Sequence, residues 1–196
     1  GTCHPRGGDD GLSWFFHTTT VAPKVRRTPP AWAARPAFAP FHWDGEFTDV
    51  AVLSRATTEA LMEGDGLLVD FADIGAYLAE LPPPMPRPAA SADETALIED
   101  GRALFTTAGC DTCHVGGTGT DGLRHEVLPA GTDLDAVLLS VDTPPLLAVR
   151  THGPHFHDGR AATILDTVTI PGDLHGRTST LTDDERSALV TYLESL

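Results

Sequence analysis

Cys110-Asp111-Thr112-Cys113-His114 constrains this chain more than any other stretch. Two thiols three residues apart, with an imidazole directly after the second, can form two thioethers to one porphyrin edge and deliver the adjacent histidine to the iron from one face. The spacing predicts covalent haem c attachment through Cys110 and Cys113, with His114 as the proximal ligand. Zinc and a redox dithiol are the competing readings. A Cys-x-x-Cys pair makes only half of a tetrahedral zinc site, and the sequence holds no second pair to complete it. Cys3 makes the cysteine count odd, a poor basis for a disulfide framework.

The flanks of the motif agree with a small haem domain. Ser91-Ala-Asp-Glu94 reads as a capping box, Leu97, Leu104 and Phe105 follow on a helical period, and Gly109 stands as a stop, so a helix is predicted over 92–108. Thr182-Asp-Asp-Glu185 opens a second capped helix whose Leu189, Leu193 and Leu196 share one face. Aromatics make up only 7% of the chain, while 19 glycines and 16 prolines imply long loops. A core so composed is short of apolar surface, and a buried cofactor supplies some. The net charge of −15 disfavours nucleic acid and anionic membranes and makes a basic redox protein the complementary partner. No apolar run approaches the roughly 20 residues that cross a bilayer, and the first residues do not read as a signal peptide, so a soluble chain without a membrane span is expected.

The chain also repeats itself. Thr28-Pro29-Pro30 returns as Thr143-Pro144-Pro145, Pro40-Phe-His-Trp-Asp-Gly45 as Pro154-His-Phe-His-Asp-Gly159, and Tyr77-Leu-Ala-Glu-Leu81 as Tyr192-Leu-Glu-Ser-Leu196, at offsets of 115, 114 and 115. Stepping back 110 residues from Cys113-His114 reaches Cys3-His4, which read as the end of an equivalent motif cut by the start of the chain. The expected architecture is all-α and loop-rich, with two tandem cytochrome-c-like domains. Residues 1–81 form the first, truncated at its N-terminus, and 91–196 form the second. The proline-rich 82–90 makes the linker. Another chain is a candidate for completing the first domain.

On Cys3-His4, Arg27-Thr28-Pro29, Phe41-His-Trp-Asp-Gly45, Cys110 to His114, Thr143 to Leu146, Val149-Arg150 and Pro154 to Gly159, the sequence resembles the bacterial di-haem cytochrome c peroxidases and the related methylamine-utilisation (MauG-like) proteins. The resemblance covers nearly the whole chain. It implies two covalent haems c, with peroxide reacting at the first and the second feeding it electrons. It implies attachment of the first haem through Cys3 with His4 on the iron, a contact of Arg150 with the second cofactor, and an electron relay through Trp43 between the haems. It further implies that Glu63, 20 residues after Trp43, moves protons during peroxide cleavage. This chain departs from the pattern in lacking the first cysteine of the N-terminal motif and any methionine in its second half.

Spacing gives an independent handle on the sixth ligands, which follow the proximal histidine by about 60 residues in small cytochromes c. His175 lies 61 residues after His114, and Met62 lies 58 after His4. His175 is expected to make the second haem bis-histidine; its alternative is an exposed loop histidine. If Met62 binds the first iron, Glu63 is a solvated acid and the protein is a plain electron carrier, a fragment or subunit of a larger redox complex being one form of that reading. If Met62 does not bind, the first site is peroxidase-like. Trp43 is otherwise a half-buried core aromatic, and His4 a stray terminal histidine. His155 and His157 are expected to support the second haem through hydrogen bonds rather than bind iron. His17 and His42 fit either the first pocket or an exposed loop. Haem attachment of this kind places the protein in the periplasm or otherwise outside the cytoplasm. A pyridine haemochrome assay is expected to return two haems per chain; a value of one removes the tandem reading.

Overall fold

The computed structural model describes residues 3–17, 24–82, 84–128, 138 and 140–196; Gly1 and Pro83, on which the start of the first domain and part of the linker were read, lie outside them. The fold is mostly helical and rich in loops. Its helices are α1 (Val50–Ala56), α2 (Phe71–Glu80), α3 (Ala92–Thr107), α4 (Ile164–Thr169) and α5 (Asp183–Ser195), with several short 3-10 turns between them. Two small antiparallel ribbons qualify the all-α expectation. One pairs β1 (Ser13–Phe16) with β2 (Lys24–Arg27), and the other pairs β3 (Arg124–His125) with β4 (Val141–Asp142). Alternating exposure along Ser13-Trp-Phe-Phe16 is the two-residue period of a strand, too short to stand out among loop residues.

The caps read from sequence explain where the long helices start. Thr182 and Glu185 form a complete capping box: the Thr182 hydroxyl accepts from the Glu185 N–H, and the Glu185 carboxylate accepts from the Thr182 N–H at 2.7 Å. At α3 only half of the box forms. Ser91 Oγ accepts from the Glu94 N–H, while the Glu94 carboxylate reaches one residue further back, to the Ala90 N–H and to Arg87. Arg87 in turn donates its backbone N–H to the Ser195 carbonyl, so the proline-rich segment is fastened to the end of α5. Leu97, expected inside, is 42% exposed; the buried face of α3 runs instead through Gly101, Phe105 and Ala108.

Gly101 is where α3 and α5 cross. A Cβ there would lie 2.1 Å from the Ala188 carbonyl oxygen and 2.7 Å from Tyr192 Cβ, so the backbones approach too closely for any side chain. Phe105, Ile164, Val168, Leu189 and Leu193 pack around the crossing as one core. A second core holds Phe41, Val50 and Leu78, with Ile74 and Leu53 beside them.

The internal repeat reappears as geometry. Bridges Phe41↔Phe47 and His155↔Ala161 lie 114 residues apart, as do the left-handed residues His42 (φ 66) and Phe156 (φ 65) and the starts of α1 and α4. The copies diverge afterwards. Pro171 follows α4 closely, and the chain passes through a 3-10 turn at Gly172–Leu174, whereas α1 runs on into a wide turn over Thr57–Leu61.

Gly101→Ala tests the crossing. Alanine gains about 1 kcal/mol of helix propensity, but overpacking costs typically 1–3 kcal/mol and here meets backbone, so a net loss is expected. The melting temperature should fall by several degrees, roughly 2–4 °C per kcal/mol lost. An unchanged or raised value sinks the packing argument.

Candidate haem site

The end of α3 delivers the Cys-x-x-Cys-His motif. Gly109 turns left-handed (φ 81), a 3-10 turn spans Cys110–Thr112, and the His114 N–H returns to the Cys110 carbonyl. The His114 side chain lies beneath the loop 116–119, where its Nδ1 bonds to the Gly119 carbonyl at 2.8 Å. Gly119 is left-handed (φ 70), and a Cβ on it would lie 2.9 Å from the Leu146 nitrogen; glycine lets this loop close over the histidine.

Opposite stands His175, its Nδ1 bonded to the Thr167 carbonyl at 3.0 Å. The two imidazole rings are 6.0 Å apart, centroid to centroid, and inclined by 72°. One metal held between two imidazole nitrogens at about 2.0–2.1 Å each spaces the centroids by roughly 6 Å. Both rings commit Nδ1 to a backbone carbonyl, which fixes the tautomer and leaves each Nε2 for a metal. Burial pushes His114 down to about 4 and lowers His175 as well, so both are neutral imidazoles, the form that binds iron. Burial likewise pushes the Cys110 thiol up to about 11. Gly176 (φ 82) brings the His175 loop against Cys110, where a Cβ would lie 3.2 Å from its sulfur.

Cavities of about 160 Å³ and 350 Å³ flank the histidine pair. The first is walled by apolar groups, among them Phe105, Leu146, Val168 and Leu193, together with Trp43 from the first half of the chain. The second is lined by Cys113, Thr143, Asp142 and Arg177. Burial, with Asp121 adding to it, raises the Asp142 carboxyl to about 7. These residues fit a haem. Cys110 and Cys113 would hold its edge, His114 and His175 would take its two iron faces, and the apolar walls would cover its plane.

The remaining residues singled out from sequence are dispersed. Trp43 lines the apolar cavity, donates its indole N–H to the Arg27 carbonyl at 3.0 Å and meets His157 edge-on at 6.4 Å. Arg150 lines neither cavity; it donates to the carbonyls of Glu194 and Leu196 and clamps the end of α5. Cys3 is half-buried and His4 exposed, beside the short turn Pro5–Gly7. Met62 is 70% exposed, and Glu63 follows it, exposed, with a left-handed backbone (φ 52). His155 lines the apolar cavity and packs edge-on against His152, and His17 packs against Phe15.

Two features escaped sequence reasoning. Phe156 seals the site by packing its ring edge-on against His175 at 5.7 Å. Arg27, 3% exposed, pairs with the buried Asp9 at 3.2 Å and donates to the carbonyls of Leu12 and Pro154 at 2.8 Å and, at longer range, to those of His152 and Gly153. A buried guanidinium surrounded by oxygens joins the N-terminal segment to the loop that carries His155 and Phe156. Only its place in the Arg-Thr-Pro segment singled Arg27 out in the sequence.

The sequence matches the family model described as cytochrome c over residues 98–196. Over 120 residues it is 37% identical to hydrazine synthase subunit gamma of Kuenenia stuttgartiensis, covering 50% of this chain and 34% of that protein. Over 128 residues it is 34% identical to methylamine utilization protein MauG of Methylorubrum extorquens, covering 53% and 36%. The match spans about a third of the length of either relative. In fold, the chain superposes on a chain of Kuenenia stuttgartiensis hydrazine synthase with a TM-score of 0.75 at 22% identity, over 97% of this chain and 78% of that one. It also superposes on a MauG-like protein associated with microbial copper homeostasis, with a TM-score of 0.69 at 15% identity, over 100% and 80%.

Replacing His175 by alanine is expected to leave a haem covalently attached at Cys110 and Cys113 while converting it from low-spin to high-spin, read by optical and paramagnetic resonance spectra. A haem there that stays six-coordinate and low-spin in the variant rules His175 out as its ligand.

Proposed function

The chain belongs to the cytochrome c family, and from that premise we propose that it is a di-haem redox protein of the peroxidase-like branch, reducing peroxide at a first haem with electrons relayed from a second. The two haems occupy tandem domains, 1–81 and 91–196, joined by the segment 82–90. Haem c supplies one-electron redox chemistry and, where its iron has a free position, reductive cleavage of peroxide. Cys110, Cys113, His114 and His175 hold the second haem closed, suited to electron transfer alone. Cys3 and His4 hold the first.

The observation that carries this reading is what stands in the first half where His175 stands in the second. Counting back 114 or 115 residues from His175 reaches Leu61 or Ala60, and neither side chain can ligate iron. Met62 is one residue outside that register and is 70% exposed. An iron held by His4 would then take no ligand from this register. Trp43, carried by the first half of the chain and lining the cavity beside the His114–His175 pair, is the relay. Cleavage of one hydrogen peroxide consumes two electrons and two protons and yields two waters, and Glu63, exposed in the turn after Met62, would be the acid and base that moves the protons.

The charge of −15 makes a basic redox protein the electron donor, and haem attachment makes the periplasm, or another space outside the cytoplasm, the compartment. No helix among the described residues is long and apolar enough to cross a membrane. A second reading, a non-catalytic electron carrier within a larger complex, draws on one relative's description as a subunit and on an exposed apolar row. Leu67, Leu68 and Met62 are 81%, 99% and 70% exposed, the kind of surface that another chain completing the first domain would cover.

Hydrogen peroxide added to the half-reduced protein, with turnover followed through an artificial electron donor, separates the readings. Glu63→Gln is expected to lose about a hundredfold or more in turnover with both haems retained. Slow oxidation indifferent to Glu63 leaves the carrier.

A further inference from the structure

The repeat sets Asp142 against Arg27, each standing directly before a Thr-Pro-Pro segment. Arg27 is buried among oxygens and paired with Asp9, so its charge is answered within the fold. Asp142 is nearly as dry, at 7% exposed, but its Oδ1 has no hydrogen-bond partner among the described residues. Backbone bonds fix where it stands: it pairs with Arg124 across β3 and β4, and its N–H donates to the Trp43 carbonyl at 2.9 Å. There it lines the cavity of about 350 Å³ together with Cys113 and His175, at the edge where a haem would be held.

The charged groups around it are engaged elsewhere. The His125 ring meets Asp121 at 2.8 Å, and the Ser179 hydroxyl donates to Asp173 at 2.7 Å. Arg124 donates to the Ser140 carbonyl and Arg177 to the Thr107 carbonyl, each at 3.0 Å. Glu126, also on the cavity wall, is exposed. A buried carboxylate with an oxygen left unanswered is costly, and taking up a proton removes most of that cost. Burial, with the Asp121 carboxylate adding to it and the Thr143 backbone and Arg124 pulling the other way, raises Asp142 to about 7, so both forms are within reach at neutral pH. An electron arriving on a nearby haem iron adds one negative charge and favours the protonated form; its departure favours the carboxylate. Asp173 and Arg177 on the cavity wall are exposed, so the proton has solvent at hand.

We propose that Asp142 is the proton acceptor coupled to reduction of the haem held by Cys110 and Cys113. As the iron passes from ferric to ferrous with one electron from the redox partner, the Asp142 carboxylate takes one proton from solvent, and it returns that proton when the electron leaves. The inference rests on the reading that His114 and His175 hold this iron. The proton offsets the charge of an electron waiting on the second haem, a task separate from the one Glu63 has in peroxide cleavage.

Potentiometric titration of the haem-loaded protein, following the low-spin haem by absorbance from about pH 5.5 to 8.5, tests this without turnover. In the wild type the midpoint potential is expected to fall as pH rises through neutrality, by up to about 59 mV for each tenfold drop in proton concentration. In Asp142→Asn the slope should vanish and the potential stay at the wild type's acidic value, because the amide imitates the neutral carboxyl. Asp121→Asn, which removes the neighbouring charge, should move the sloping range to lower pH. A slope that persists in Asp142→Asn, carried by a haem carboxyl or by His125, overturns the proposal, as does a flat wild type. Should Asp142→Asn take up no haem, reduced-minus-oxidised infrared spectra of wild type grown with carboxyl-labelled aspartate decide the matter. A label-sensitive protonated-carboxyl band gained on reduction supports the proposal, and its absence overturns it. An oxidised protein with no low-spin haem removes the bis-histidine reading and the proposal with it, whereas a low-spin haem whose potential ignores pH removes the proposal alone.

Discussion

The close approach of α3 and α5 at Gly101 decides where everything else in the second half lies. Glycine inside a helix costs about 1 kcal/mol relative to alanine. Burying Phe105, Leu189 and Leu193 against each other contributes roughly 2 kcal/mol apiece, so the penalty is outweighed several times over. With the crossing fixed, the end of α3 emerges beside the segment that follows α4, and His114 and His175 come to face each other. A wider crossing would separate the two imidazoles beyond the reach of one metal.

The two halves of the chain are held together by a different kind of force. The Arg27–Asp9 pair is almost fully buried, yet the guanidinium meets a carboxylate and several carbonyls, which offset the loss of water. Removing one partner of such a pair costs about 3–5 kcal/mol, because the other is left charged in a dry interior. Trp43 belongs to the same junction. It donates to the Arg27 carbonyl and receives the Asp142 N–H on its own carbonyl, so an aromatic that lines the cavity beside the histidine pair is set by backbone bonds from both sides.

The sequence made the helices legible through their caps, since Ser91, Thr182 and Glu185 act over three residues and need no tertiary context. The spacing of 61 residues anticipated that His175 would lie near His114, and the two rings stand 6.0 Å apart. What a sequence does not carry is the partner that comes from far along the chain. The oxygens around Arg27 come from residues 9, 12 and 152–154, and the Phe156 ring acquires meaning only once His175 is opposite. Arg150 illustrates the same point: its sequence context says nothing of the carbonyls of Glu194 and Leu196 that it meets at the end of α5. The ribbons were missed because four residues of alternation do not rise above loop composition.

The two imidazoles of the second site are anchored unequally, and this sets a direction for any change of coordination there. His114 follows Cys113 immediately, so a thioether one residue away keeps its effective concentration at the metal high even when its own bond breaks. His175 is tied to its place by one carbonyl bond from Thr167 and the edge of Phe156, and more than sixty residues separate it from Cys110 and Cys113. In a haem held by both, heat, acid or a competing small molecule would displace His175 first. The side it would leave faces the apolar cavity shared with Trp43 and His155, so an incoming molecule would meet hydrophobic walls and a neutral imidazole.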